Sequence, residues 1–300
     1  MDDLSLDVNL ASPVESSVAL HTITSLPLDP QFPLFRHYPA MKLGILDSID
    51  FFVRLLIPRA RKILAREADD VSWVVTVPPL FALPAAANLL ARGIHRDLIA
   101  HGGDRPPPLL AELRYSAPNP ATLHLEAPAN DYSRASVADR RKARRQLYEG
   151  RSAVAVDLET FRGRAVLFVN DINVTGTQQH FMRRAIRPAG PAAIHWLHVL
   201  QVDPVLGRSH PELEYALNHL HLARFDELAE AGAGSGIEPT ARCVDRLLRH
   251  DPEELAPVLR EMGAERARRL LELAAEEGRW KSAGVDYQAR VALLASRITG

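Results

Sequence analysis

The sequence predicts an α/β fold in which a mostly parallel sheet is flanked by helices. Three apolar runs, at residues 72–77, 166–169 and 193–202, have the length and composition of buried strands. A helical pattern at residues 44–68 precedes the first run, and Pro58 there predicts a kink or a break; another helical pattern follows the second run after Gly176. Strands that alternate with helices are typical of a parallel sheet.

Changes in composition divide the chain into three predicted regions. Residues 1–35 are punctuated by prolines and predict a partly extended N-terminal arm, with a strand-like run at 18–24. Residues 36–205 carry the alternation of strands and helices and predict the main domain. Residues 206–300 have a helical composition with a flexible, glycine-rich break at 231–236, and predict a helical C-terminal extension.

The segment 71–91 contains no charged residue and is long enough to cross a bilayer. Pro78, Pro79 and Pro84 would interrupt a helix there. A buried strand at 72–77, a proline-containing loop and an alanine-rich helix from about Pro84 account for the same residues. We therefore expect no membrane association.

Composition is that of a globular enzyme. The 300 residues are 47% hydrophobic, enough for a full core, and the net charge of −1 argues against a general nucleic-acid binder. Cys243 is the only cysteine, so no internal disulfide forms, and the first residues lack the pattern of a signal peptide. These observations favour a cytoplasmic location.

The most informative stretch follows the run at 166–169. That strand is expected to end on Asn170 and Asp171, before the turn Thr175, Gly176 and Thr177 and a new helix. The free N–H groups and positive dipole end of a helix N-terminus favour a phosphate, and Gly176 lets the backbone approach it. Asp171 can accept bonds from sugar hydroxyls, so the pattern indicates a ribose 5-phosphate site.

The same stretch has features in common with three other local structures. Asn, Asp and Gly after a strand are also ordinary loop residues. An EF-hand loop that begins at Asp171 would need Glu at its twelfth position, where Met182 stands. The residues of a P-loop are absent. An ordinary loop therefore stays open beside the phosphate site, whereas a calcium loop is disfavoured.

Residues 166–177, Val-Leu-Phe-Val-Asn-Asp-Ile-Asn-Val-Thr-Gly-Thr, resemble the signature of the type I phosphoribosyltransferases. That signature has four apolar residues, two acidic residues and a Thr-Gly-x-Thr phosphate loop. The ComF-like branch, named for a competence protein, is the most similar, because Tyr38, Lys42 and Gly44 match its early Tyr-Lys-Gly segment.

The resemblance extends over about residues 36–203 and includes an arginine-rich segment at 134–145. It departs from the family pattern at Asn170, where the first acidic residue is expected. It implies transfer of phosphoribosyl from phosphoribosyl pyrophosphate (PRPP) to a nitrogen nucleophile, with magnesium bound to the substrate and no metal site of the protein's own. An unknown base or nucleotide would be the second substrate, and a homodimer is compatible with the sequence.

A second candidate site is the loop that follows the strand at 72–77. Loops at the carboxyl ends of parallel strands converge, so it can face the same crevice as residues 170–177. The resemblance implies that its backbone amides bind pyrophosphate. Because prolines cannot donate, the amides would come from Leu80, Phe81 and Ala82. The loop can equally be a rigid hydrophobic turn.

The third candidate is the basic segment 132–151. Its charge density is also that of a solvated helix face or of a nucleic-acid patch. The resemblance implies a mobile cationic lid that closes over the diphosphate. The catalytic residues that the resemblance implies, lid cations included, are Asp171, Asn170, Lys142, Arg141, Arg144 and Arg145. The 5-phosphate ligands that it implies are Thr175, Gly176 and Thr177.

The histidines at 195, 198, 219 and 221 are in no metal-binding arrangement and are expected to be packing or surface residues. A function of a different class is left open. In that alternative the chain is a non-catalytic module that senses PRPP or a nucleotide in competence or a stress response.

Overall fold

The computed structural model describes residues 13–103, 105–115, 138, 154–220, 236–249, 264–277, 291–292 and 295–296. A five-stranded parallel sheet has the order β1-β7-β6-β2-β3, and β4 and β5 form a small antiparallel pair. The strands are β1 (Val14–Ile23), β2 (Trp73–Thr76), β3 (Leu109–Ala111), β4 (Arg114–Tyr115), β5 (Val154–Ala155), β6 (Ala165–Asn173) and β7 (Ala193–Val202). The predicted α/β class with a parallel sheet is confirmed.

Helices lie on both faces of the sheet. In chain order they are α1 (Pro33–Leu43), α2 (Leu46–Leu64), α3 (Ala86–Ala100), α4 (Leu158–Phe161), α5 (Thr177–Ile186), α6 (Pro204–Ser209), α7 (Leu213–Asn218), α8 (Ala241–Arg249) and α9 (Ala264–Glu277), with a 3-10 turn at Arg187–Ala189. Pro58 lies inside α2, which continues past it, so a break at this position does not occur. Within the described residues, no helix is both long and apolar enough to cross a membrane.

The central strand β6 divides the core into two layers. Leu167 and Val169 pack in the cluster that contains α1, α2 and α3, whereas Phe168 packs with Met182 of α5. Because side chains alternate along a strand, Asp171 projects toward the first layer and Asn170 toward the second. Two consecutive polar residues are therefore sent to opposite faces of the sheet.

Strand β6 is longer than the sequence predicted. Its parallel pairing with β7 continues through Ile172 opposite Leu200 and Asn173 opposite Gln201. The expected end at Asn170 and Asp171 was wrong, because pairing with β7 satisfies the backbone of these polar residues as well. The strand thus continues to Asn173, and the turn that contains Gly176 follows it.

Residues assigned to the N-terminal arm form an edge strand. β1 pairs in parallel with β7 over nearly its whole length, and Val18 lies opposite Leu197. The strand-like run at 18–24 is therefore part of the sheet. Residues 109–115 contain two short strands with different partners: β3 joins the main sheet, and β4 pairs with β5.

The described part of the C-terminal region is attached to the main domain at Gly44. The Glu238 amide donates to the Gly44 carbonyl at 3.0 Å, and the Thr240 hydroxyl donates to the Lys42 carbonyl at 2.7 Å. The Ala241 amide, at the start of α8, donates to the Pro84 carbonyl at 2.9 Å. Residues 236–249 therefore form one side of the region around Lys42.

Candidate functional site

The two predicted loops leave neighbouring strands at the same edge of the sheet. β2 pairs in parallel with β6, so the loop after Thr76 and the turn after Asn173 both follow carboxyl ends. In an open α/β sheet, ligands bind in the crevice outside these ends. The fold therefore brings the two sequence-predicted segments to one side of the molecule.

The turn at 173–177 is stabilised by its own side chains. The Gly176 amide donates to Asn173 Oδ1 at 2.9 Å, and the hydroxyls of Thr175 and Thr177 are 2.8 Å apart. Gly176 has φ 71°, a left-handed conformation that favours glycine, and immediately precedes α5. The amides of Gln178 and Gln179 are in the first turn of α5, where backbone N–H groups have no intrahelical acceptor.

Helix α6 packs against this turn through a close backbone contact between Gly207 and Val174. A Cβ atom at Gly207 would lie 2.1 Å from the Val174 carbonyl oxygen, so only glycine permits this close approach of the helix to the turn. Asp203 caps the same helix by accepting from the Val205 and Leu206 amides. The turn thus rests on a rigid backbone contact, for which the sequence offered no recognisable signal.

Asn170 braces the turn. Its side-chain Nδ2 donates to the Ile172 carbonyl at 2.8 Å and to Gln178 Oε1 at 3.1 Å, and only 4% of the residue is exposed. Both amide hydrogens are therefore used inside the protein. Asn170 connects the end of β6 to the first turn of α5 and does not project into the crevice beside Asp171.

Asp171 is held by an ion pair that the sequence did not predict. Its Oδ2 accepts from Lys42 Nζ, at the end of α1, and its Oδ1 accepts from the Ile172 amide at 2.8 Å. Burial raises the pKa of Asp171, but Lys42 and the Ile172 amide lower it by more, so its pKa lies below the ordinary value. The carboxylate is ionised at neutral pH.

Lys42 also reaches a second carboxylate. Its Nζ is 3.2 Å from Oε1 of Glu214 on α7, and 5.7 Å from the centre of the Tyr38 ring. Burial lowers the pKa of Lys42, but Asp171 and Glu214 raise it by more, so its pKa lies above the ordinary value. Arg242 of α8 lies near enough to oppose part of this increase. Lys42 is therefore a charged bridge between α1, β6 and α7.

On the other face of the sheet, His198 lies beside Asn170 in the pairing of β7 with β6. Neither ring nitrogen has a hydrogen-bond partner among the described residues, and burial lowers the pKa of His198 to about 4. His198 is thus neutral and packed in the core, in agreement with the prediction. His195, also buried, bonds to Ser16 and Glu67.

The loop after β2 uses part of its backbone to join the small sheet. The Leu80 amide donates to the Leu113 carbonyl at 3.0 Å, and the Leu80 carbonyl accepts from the Tyr115 amide. Leu80 would have to release its bond to bind an anion, and the Phe81 carbonyl accepts from the Arg114 side chain at 3.1 Å. The Phe81 ring is stacked on Tyr115 with centroids 4.4 Å apart, which ties the loop to β4.

Two further predictions concern the cationic lid and metal binding. Arg141, Lys142, Arg144 and Arg145 lie outside the described residues. In the part of the chain that the structure describes, no group of three His, Cys, Asp or Glu side chains is arranged to hold a metal ion.

Sequence reasoning missed several residues of this region. Lys42 stands out in the sequence only as part of a matching segment, and Glu214 falls in the predicted C-terminal extension. Neither has a local pattern that reveals its position beside Asp171. Asn173 had a detectable signal, since Asn three residues before a glycine is typical of a side-chain-capped turn.

The sequence that forms this site matches a known protein family. The family model described as PRTase ComF-like matches residues 108–294, more than half of the chain. The matched residues include the turn at 173–177 and also Glu214 and Arg242, which lie beyond the resemblance visible in the sequence. Comparison with curated proteins gives no relative.

Proposed function

This chain belongs to the ComF-like phosphoribosyltransferase family, and on that premise we propose that it transfers phosphoribosyl from PRPP to a nitrogen nucleophile. The observation that carries the proposal is the position of Asp171 at the carboxyl edge of the sheet, immediately before the Thr-Gly-Thr turn. An ionised carboxylate beside a helix N-terminus matches a ligand with sugar hydroxyls and a phosphate.

In this proposal the turn binds the 5-phosphate. Thr175 and Thr177 supply hydroxyl donors, and Gly176 allows the backbone to approach the phosphate oxygens. The Gly176 amide is bonded to Asn173, so Asn173 has to yield that donor when phosphate enters. Gln178 and Gln179 contribute amides from the first turn of α5.

Asp171 would hold the ribose hydroxyls. Its carboxylate oxygens can accept from the ribose hydroxyls when the side chain turns from Lys42 toward them. Its lowered pKa keeps it ionised at neutral pH. A negative charge beside the sugar would stabilise the positive charge that develops there as the leaving group departs.

The remaining residues would bind the diphosphate. Phe81 and Ala82 offer amides from the loop after β2, Leu80 joins them if it leaves Leu113, and the lid cations of residues 141–145 would close over the leaving group. In the reaction the bond from C1 to the diphosphate oxygen breaks, the bond from C1 to nitrogen forms, and the nitrogen loses a proton.

Magnesium would be carried by the substrate. It neutralises the diphosphate and is ligated by phosphate oxygens and water. The carboxylates of Asp171 and Glu214 are paired with Lys42, which is compatible with this arrangement. We place this chemistry in cytoplasmic nucleotide metabolism.

Calorimetric titration with PRPP and magnesium tests binding, and pyrophosphate release with a panel of nitrogen bases tests transfer. We expect PRPP to bind only when the turn at 175–177 is intact, and one base to release pyrophosphate. Absence of PRPP binding would overturn the proposal.

A second candidate function is a non-catalytic sensor of PRPP or a nucleotide, acting in competence or a stress response. Asn170 favours it, because the chain lacks the first acidic residue of the family signature. The sensor would bind PRPP tightly without releasing pyrophosphate with any base. If any base makes pyrophosphate release faster than it is without a base, the sensor function is excluded.

A further inference from the structure

Three charged side chains from three different elements meet at the edge of the site. Lys42 Nζ bonds Asp171 and lies 3.2 Å from Glu214, and the exposed fractions of the three side chains are 11%, 13% and 14%. They are thus mostly removed from water, yet each retains some contact with it. One ammonium and two carboxylates leave the group with a net charge of −1.

This arrangement constrains how Asp171 can bind a ligand. A buried ammonium that loses its partner carries a large desolvation cost. If Lys42 had only Asp171, a ligand that drew the carboxylate away would leave that cation unpaired. The ligand would then bind against this cost.

Glu214 removes the difficulty. We propose that Glu214 is a positioning residue: it keeps Lys42 paired and in place when Asp171 turns to the ribose hydroxyls. This inference rests on the proposed function. Glu214 also places a second carboxylate near Asp171, although it lies on α7, far along the chain from the signature. Asn170, where the signature expects an acid, instead bonds residues of the turn on the opposite face of the sheet.

Further charged and titratable groups face the cluster from neighbouring elements. Arg242 of α8 raises the cost of a charged Lys42 and also stabilises an ionised Asp171. His198 of β7, whose charged form Asp171 favours, is neutral and on the opposite face of the sheet, and the Tyr38 ring of α1 lies beside the ammonium. Glu214 is therefore the described partner that can hold Lys42 when Asp171 is engaged.

A first experiment needs no ligand. The chain has four lysines, at 42, 62, 142 and 281, so 15N-lysine labelling gives a simple NMR spectrum in which Lys42→Met identifies the Lys42 signal. Asp171→Asn removes the negative charge beside Lys42, as happens when the Asp171 carboxylate turns away from the ammonium. In that variant we expect Lys42 to stay protonated at neutral pH, and in Asp171→Asn/Glu214→Gln we expect its pKa to fall well below that of the single variant.

Equal Lys42 pKa values in the two variants would overturn the inference. Thermal unfolding checks that both variants fold. Should Asp171→Asn fail to fold, the comparison of Glu214→Gln with wild type in the same titration replaces it, with a lower Lys42 pKa expected in Glu214→Gln and an unchanged value overturning the inference.

A second experiment measures PRPP binding. We expect Glu214→Gln to weaken the affinity about tenfold or more, a difference of about 1.4 kcal/mol. Glu212→Gln is the matched control, because Glu212 is exposed, lies two residues earlier and bonds His210, and it should bind like wild type. In a Lys42→Met background Glu214→Gln should cause no further loss. Unchanged affinity in Glu214→Gln would overturn the inference, whereas a wild type that binds no PRPP would refute the proposed function and leave the decision on Glu214 to the NMR titration.

Discussion

Asn170 donates its side-chain amide to the backbone carbonyl of Ile172 at 2.8 Å and so closes the end of β6 on itself. On the sequence alone, Asn170→Asp restores a missing acid and is expected to raise turnover. In the structure the same change places a carboxylate against the Ile172 carbonyl and the Gln178 side-chain oxygen. We therefore expect urea unfolding to show a loss of about 1–3 kcal/mol, which decreases as the pH falls and the new carboxyl gains a proton that it can donate.

Asn173→Asp is the control for Asn170→Asp, because Asn173 is partly exposed and water can replace its lost donor. It should destabilise the protein less. An Asn170→Asp variant with wild-type stability and faster pyrophosphate release would show that position 170 acts in the chemistry.

Gly176→Val tests the phosphate turn. A Cβ at Gly176 would meet no atom within 4 Å, so the change strains the backbone without a clash and the fold should survive. A side chain there would occupy the approach to the phosphate, and we expect calorimetry to show no PRPP binding.

Gly163→Val is the matched control for Gly176→Val. Gly163 also has a positive φ, 66°, with no atom within 4 Å of its Cβ position, but it lies at the opposite end of β6. Both variants should lose similar stability, on the order of 1–2 kcal/mol, and only Gly163→Val should keep affinity. Undiminished binding by Gly176→Val would refute the phosphate assignment.

The Lys42 and Asp171 pair predicts a specific dependence of stability on pH. The pKa of Asp171 is lowered in the folded state, so its stabilisation is present above the ordinary carboxyl value of about 3.9 and is lost as the pH falls through the folded value. The pKa of Lys42 is raised, so its stabilisation is present below about 10.4 and is lost as the pH rises through the folded value.

Lys42→Met should therefore lower the free energy of unfolding most at neutral pH, by about 3–5 kcal/mol, because it leaves a buried carboxylate without its cation. The loss should shrink toward low pH, where Asp171 can take up a proton. Lys62→Met, at a solvent-exposed position on α2, serves as the control with little effect. A deficit that is the same at every pH would contradict this account of the pair.

Gly44→Ala should detach the C-terminal segment 236–249 from the main domain. The new Cβ would lie 1.9 Å from the Glu238 carbonyl oxygen, and φ at Gly44 is +88°. The reporter is Cys243, whose thiol is buried and whose pKa burial raises to about 12, so it should react slowly with a thiol reagent in the native protein. We expect Gly44→Ala to speed this reaction tenfold or more.

Gly103→Ala is the control for Gly44→Ala, because φ at Gly103 is +63° and its Cβ position is open. It should leave the reaction of Cys243 slow. Equal thiol reactivity in Gly44→Ala and wild type would mean that the contact with Glu238 does not hold the segment.

The proposed cationic lid predicts an effect on turnover. Neutralising Arg141, Lys142, Arg144 and Arg145 singly should identify one variant in which kcat falls about a hundredfold or more with little change in ground-state binding, because the lid acts on the departing diphosphate. Arg162→Gln is the control, since Arg162 is exposed and bonds Glu159 at 2.7 Å. Normal turnover in all four variants would refute the lid and mean that the segment is only a solvated surface.

Local patterns were sufficient for most elements of the main sheet. The apolar runs at 72–77, 166–169 and 193–202 each became a parallel strand, and the glycine at 176 became the start of α5. The end of β6 was misplaced because a polar pair looks like a strand end, whereas pairing with β7 decides where a strand stops. The short strands β3 and β4 have different partners, which local patterns do not specify.

The sequence by itself determined the α/β class, the turn at 175–177 and the presence of Asp171 before it, because hydrophobic period, glycine and capping residues act over a few neighbouring positions. Only the tertiary structure decided what surrounds Asp171. Lys42 lies 129 residues before it and Glu214 lies 43 residues after it. Their association depends on how α1 and α7 pack beside β6, and a buried charge takes its partner from whichever element packing brings within reach.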